Sequence, residues 1–157
     1  MLAWLTIWHG LIIVLIIILL LLLGFGALRR PFAQWRRQKL LELFQEQHAS
    51  LENDFFNQAK ASGKPRGLIW KQIDWEPDFR LAKDRRTDRY VALHGVSIQF
   101  EAIPDGDMEG LPSVDLAKMA TVVFTFEAGM WHATDRVVFN FHPDGMLQEY
   151  AARFEAI

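Results

Sequence analysis

The sequence predicts an α+β fold: an N-terminal transmembrane helix, then one small domain with a long helix packed on an antiparallel sheet of four or five strands and a short C-terminal helix. Three observations carry this. Residues 2–28 contain no Asp, Glu, Lys or Arg, and Ile12 to Leu23 is an unbroken run of Ile, Val and Leu. From Phe32 to about Ala61 the apolar residues recur at three- and four-residue steps. Beyond Gly67 the apolar period becomes two, the repeat of a half-buried strand.

The apolar run suits a bilayer, because a helix of ~20 residues rising 1.5 Å per residue matches a hydrocarbon core of ~30 Å. Residues 1–30 are therefore read as a membrane anchor, with the span at about 5–28, and residues 31–157 as a soluble α+β domain. A cleaved signal peptide would need a basic start, a shorter core and a small-x-small cleavage site, whereas Gly24-Phe25-Gly26-Ala27-Leu28 leads straight into Arg29. Orientation follows from the cations. Before the run there are only the α-amino group and His9; after it come Arg29, Arg30, Arg36, Arg37 and Lys39. Lys and Arg beside a span stay on the cytoplasmic side, which puts the N-terminus outside and the domain in the cytosol of a plasma or inner membrane. Trp4 and Trp8 suit the outer interface and Trp35 the inner one, where an amphipathic indole is favoured. The basic run serves as a topology signal and attracts anionic headgroups.

Pro31 opens a new helix more readily than it continues an old one. On that second helix Leu40, Leu41, Phe44, His48, Leu51, Phe55 and Ala59 form the apolar stripe, and Ser62-Gly63-Lys64-Pro65 ends it. Two phenylalanines and a histidine on the stripe suit a helix lying on a sheet better than a coiled-coil seam of Leu, Ile and Val. Leu68 to Trp75 reads as a strand ended by Pro77, and Phe79 to Lys83 as a short arm pairing with it. The polar turn Asp84–Asp88 leads into a long strand from Tyr90 to Ala102, where Gly95 marks a bulge. Val122, Phe124 and Phe126 alternate with Thr121, Thr125 and Glu127, and Ala128-Gly129-Met130 turns the chain toward a last strand at Val137, Phe139 and Phe141. Met146, Leu147, Tyr150, Ala151 and Phe154 return to helical spacing. The order of helix then meander is similar to that of cystatin-like and nuclear-transport-factor-like folds, a likeness of element order that covers no motif.

Charge excludes one function class. Residues 38–157 carry 13 Lys and Arg against 19 Asp and Glu, a formal charge of −6, and an acidic domain without a basic stripe does not bind nucleic acid. With no cysteine, the chain has neither disulfides nor thiolate zinc sites. Asp105-Gly106-Asp107-Met108-Glu109-Gly110 resembles the first half of a calcium loop, but Leu116 stands where the bidentate Glu is needed. No two of the five histidines have zinc-site spacing, so no metal and no cofactor are expected. Serines lack a Gly-x-Ser-x-Gly turn, and Gly63–Gly67 lacks the spacing of a phosphate loop.

What remains is a single-pass protein whose domain binds a partner protein, a second copy of itself or a small apolar ligand, with no catalysis evident and the bilayer as its first partner. Binding candidates are Tyr90, Trp70, Trp75 and Trp131. One alternative is a pocket enzyme of cystatin-like or nuclear-transport-factor-like shape, with His94 as acid/base beside Tyr90 and Asp74 or Asp135. Another is a structural subunit of a membrane complex. The helical stripe and the alternating strand together place Phe124 and Phe126 against Phe44, Leu51 and Phe55.

Overall fold

The computed structural model describes the backbone from Leu2 to Ile157, and the side chains of residues 14–19 and 32–157. The chain divides into two compact units, Met1–Leu40 and Leu41–Ile157. One helix, α1 (Leu2–Ala61), runs through both, so Pro31 falls inside a helix instead of starting one. In the first unit Phe32 and Trp35 are both 64% exposed, their rings 6.1 Å apart. The expected membrane span lies outside the described side chains except at residues 14–19, and among the described residues no helix is long and apolar enough to cross a membrane.

The second unit is α+β. After α1 come β1 (Leu68–Asp84), β2 (Arg89–Ala102), β3 (Lys118–Glu127), β4 (Met130–His132), β5 (Val137–Phe139), α2 (Pro143–Glu149) and β6 (Phe154–Ala156). The strands form one antiparallel sheet in the order β4-β3-β2-β1-β6, with β5 also pairing β3. Six strands among the described residues correct the expected four or five. The two segments at Leu68–Trp75 and Phe79–Lys83, read from sequence as a hairpin, are one continuous strand. Its pairing jumps from Trp75↔Val96 to Phe79↔His94, so Glu76, Pro77 and Asp78 bulge out opposite Gly95 alone. Pro77 has no N–H to offer a ladder, and the bulge absorbs that loss without ending the strand.

Each face of the sheet has its own cover. On one, the α1 stripe supplies Phe44, Leu51, Phe55 and Ala59, all buried. Phe44 stacks its ring at 4.5 Å from Phe79, 5.5 Å from Phe124 and 5.2 Å from Trp131. Phe55 meets Trp70, Trp75 and Phe124 at 6.0, 5.9 and 6.4 Å. These are tilted and edge-on contacts, the geometry that aromatic quadrupoles favour. On the other face Ala82, Val91, Leu93 and Val123 pack with Met146 of α2 and Phe154 of β6. Phe124 is fully buried under the helix, whereas Phe126 is half-buried beside Trp131, 5.2 Å away, near the sheet edge.

The β3–β4 turn has both central residues in the left-handed region, Ala128 at φ 52° and Gly129 at φ 88°. Two positive φ values match the right-handed twist of the flanking strands. At the same end of β2, where Asp84 pairs with Arg89, the carboxylate of Asp84 is buried and accepts hydrogen bonds from the Arg86 N–H (2.9 Å) and from Arg153 (2.9 and 3.1 Å). Burial opposes the charge, and these donors together with Arg136 overcome it, holding the carboxyl below its usual range. The cluster ties the C-terminal segment to the β1–β2 turn.

Candidate functional site

Three polar side chains meet where α1 crosses β2. His48 and Glu52 lie four residues apart on α1 and so share one face of the helix, with His48 Nε2 3.2 Å from a Glu52 carboxylate oxygen. His94 comes from the middle of β2, on the face covered by the helix, registered with Phe79 on one side and Val122 on the other. It is completely buried. His94 Nδ1 lies 3.2 Å from His48 Nε2, and the ligand atoms of all three residues fall within 4.8 Å of one another.

The strand bulge fixes the orientation of His94. It turns the Glu76 carbonyl toward the ring, 2.6 Å from Nε2. A carbonyl only accepts, so Nε2 carries the proton and Nδ1 presents a bare lone pair to His48. Burial pushes the His94 pKa down, the nearby His48 adds to this, and the bond to Glu76 opposes it; the ring is held neutral. Burial raises the Glu52 carboxyl, partly offset by His48. The aromatic rings of Trp75 (5.0 Å), Phe79 (6.0 Å) and Phe44 (6.2 Å) surround His94. Gly95 permits the close fit, because a Cβ there would lie 2.0 Å from Glu76 Oε2. That carboxylate instead pairs with His142 Nε2 at 2.9 Å.

The partners expected for His94 are elsewhere. Tyr90 is four residues along the same strand, about 13 Å away at strand rise, beside Phe126 at the sheet's end. Asp74 is exposed, accepts from Gln72 and pairs in register with Ser97, on the opposite face. Asp135 is exposed in the β4–β5 connection. The sheet face around His94 is lined by the rings of Trp75, Phe79 and Phe44. Glu52 does not stand out beside the histidines in the sequence; its signal there is His48-x-x-x-Glu52, a helical i, i+4 pair of two ligand types.

Of the aromatic candidates, Trp131 is core, buried against Phe44 with its backbone N–H donating to Gln47 Oε1 at 3.0 Å. Trp70 is buried and donates its indole N–H to the Lys64 carbonyl. It also lines a half-open pocket of about 270 Å³ with Phe55, Ala59, Val137 and Phe139, and with Ser62, Lys64, Pro65 and Asp135. Trp75 borders a shallower groove of about 340 Å³ along Ala49, Glu52, Asn53 and Phe56. The acidic loop is exposed, and Glu109 accepts the Asp105 N–H at 2.7 Å. Of the residues expected at the membrane interface, Trp35, Arg36 and Arg37 are exposed on α1. Trp4, Trp8, Arg29 and Arg30 lie outside the described side chains. No protein-family model, no curated protein and no solved structure matches this chain.

Proposed function

We propose that the chain is a single-pass membrane protein whose cytoplasmic α+β domain is a non-catalytic binding module for a small apolar group, either a free ligand or an apolar side chain of a partner protein. The observation that carries this reading is the pocket beside Trp70. Its lining is mainly apolar (Phe55, Ala59, Trp70, Val137, Phe139), with the exposed Ser62, Lys64 and Asp135 as its polar members. Ligand sites have this composition, an apolar lining with a few polar groups that fix orientation. A volume of about 270 Å³ suits one aromatic ring or a short branched chain. Membrane attachment is supported by the charge-free run of residues 2–28 and the cations that follow it.

The test uses methyl-labelled full-length protein in detergent micelles, titrated with indole as the probe. Saturable shifts at the Ala59 and Val137 methyls are expected, and in Val137→Phe the Ala59 methyl should no longer shift. Shifts that never saturate, or that Val137→Phe leaves intact, would overturn the reading. Orientation is checked separately by a reporter fused after Ile157 that works only in the cytosol; activity of a reporter that works only outside it would contradict the assignment.

A further inference from the structure

We propose that His48, Glu52 and His94 bind a divalent transition-metal ion of the zinc type, through His48 Nε2, a Glu52 carboxylate oxygen and His94 Nδ1. The first support is spacing. A tetrahedral ion with bonds of ~2.0–2.1 Å holds neighbouring ligand atoms ~3.3–3.4 Å apart. In the structure His48 Nε2 is 3.2 Å from His94 Nδ1 and 3.2 Å from the Glu52 oxygen. The three lie within 4.8 Å of one another, and the rotatable Glu52 side chain closes the remaining edge.

The second support is a shortage of protons. His94 has spent its proton on the Glu76 carbonyl, so Nδ1 only accepts, and an ionised Glu52 only accepts. His48 Nε2 holds at most one hydrogen for both. With His48 in the tautomer that bears its hydrogen on Nδ1, three acceptor atoms lie within 4.8 Å of one another with no hydrogen between them, an arrangement that a cation satisfies. The third support is the outer shell. Metal-ligating histidines commonly donate their other ring N–H to a backbone carbonyl, which fixes the tautomer, and the Glu76 carbonyl in the β1 bulge does this for His94.

Two imidazoles and one carboxylate suit zinc and its neighbours, whereas calcium and magnesium want oxygen alone. Three protein ligands leave a fourth position for water. The His48 and Glu52 side chains are 34% and 24% exposed, so an ion reaches these two ligands from solvent. A bound ion would pin α1 to β2 and stabilise only the folded state.

The experiment uses the tag-free full-length chain in detergent micelles, stripped with a chelator and then melted with and without Zn²⁺. At a hundredfold excess over Kd the melting temperature should rise by on the order of 10 °C, with one ion bound per chain. Co²⁺ in place of Zn²⁺ should give visible d–d absorption bands. His48→Gln and Glu52→Gln, both partly exposed and tolerant of substitution, should each abolish the bands and weaken Zn²⁺ binding at least tenfold. His132→Gln, at an exposed histidine on β4, should change neither. Absence of both the thermal shift and the bands would overturn the site. So would binding that His48→Gln and Glu52→Gln leave intact.

Discussion

Phe124→Ala tests how the helix is held on the sheet. Phe124 is fully buried, with its ring 5.5 Å from Phe44, 6.4 Å from Phe55 and 5.9 Å from Trp75. Truncating a buried Phe costs ~3–5 kcal/mol, and the cost is highest where neighbours cannot collapse into the void. Here collapse is hindered, because Phe44 is also braced by Phe79 and Trp131 and Phe55 by Trp70. The ring pairs lost with it are already contained in that measured range and favour its upper part. The expected loss is therefore about 4–5 kcal/mol, against a total of ~5–15 kcal/mol for a small domain. Near-ultraviolet circular dichroism of the full-length protein reads the aromatic core and is blind to helicity elsewhere. The variant should lose this signal at room temperature or melt about 15 °C lower. Thr125→Ala, on the next residue and the other face, should cost less than about 1 kcal/mol. A Phe124→Ala protein melting within a few degrees of wild type would refute the packing of α1 described above.

Acid should act in two windows. The folded His94 has a pKa below the ordinary 6.5, so the unfolded chain binds the proton first and stability falls as pH drops below about 6.5; pH-dependent melts of His94→Gln should lack that step. Asp84 is depressed below 3.8, so its contribution is intact above that value and lost as pH falls through the lower folded pKa. Asp84→Asn should remove the second step and, by weakening the bonds from Arg153, cost roughly 1–3 kcal/mol at neutral pH in denaturant melts. Ala128→Asn should stabilise by about 1 kcal/mol in the same melts, because the turn requires φ 52° there and Asn tolerates the left-handed region better than Ala.

Local patterns revealed more of this protein than pairings did. The α1 stripe is readable because Phe44, Leu51, Phe55 and Ala59 are buried in the helical period that the sequence displays. The turn at Ala128-Gly129 and the long β2 alternation are readable for the same reason. Pro77 misled, since a proline normally stops a strand, but Glu76–Asp78 bulge opposite Gly95 and the strand resumes. β6 offers only three residues and owes its form to pairing with Ala82–Asp84, which no local pattern encodes. The last strand expected at Val137, Phe139 and Phe141 is β5, Val137–Phe139, while β4 follows the turn directly, both lying against β3. At the site, His94 was legible as an inward residue of its strand and His48 as a member of the stripe. Their meeting depends on the register of α1 over β2 across 46 residues, and that register is set by ring packing.

Long-range ¹H–¹⁵N correlation at neutral pH, with ¹⁵N-labelled histidine and after chelation of metals, reads the His94 ring directly. The bulge at Glu76 and the seam between α1 and β2 predict one neutral ring protonated at Nε2 alone, with an unprotonated Nδ1, and its signals should vanish in His94→Gln. An imidazolium at this position, or a proton on Nδ1, would contradict the geometry from which the site is built.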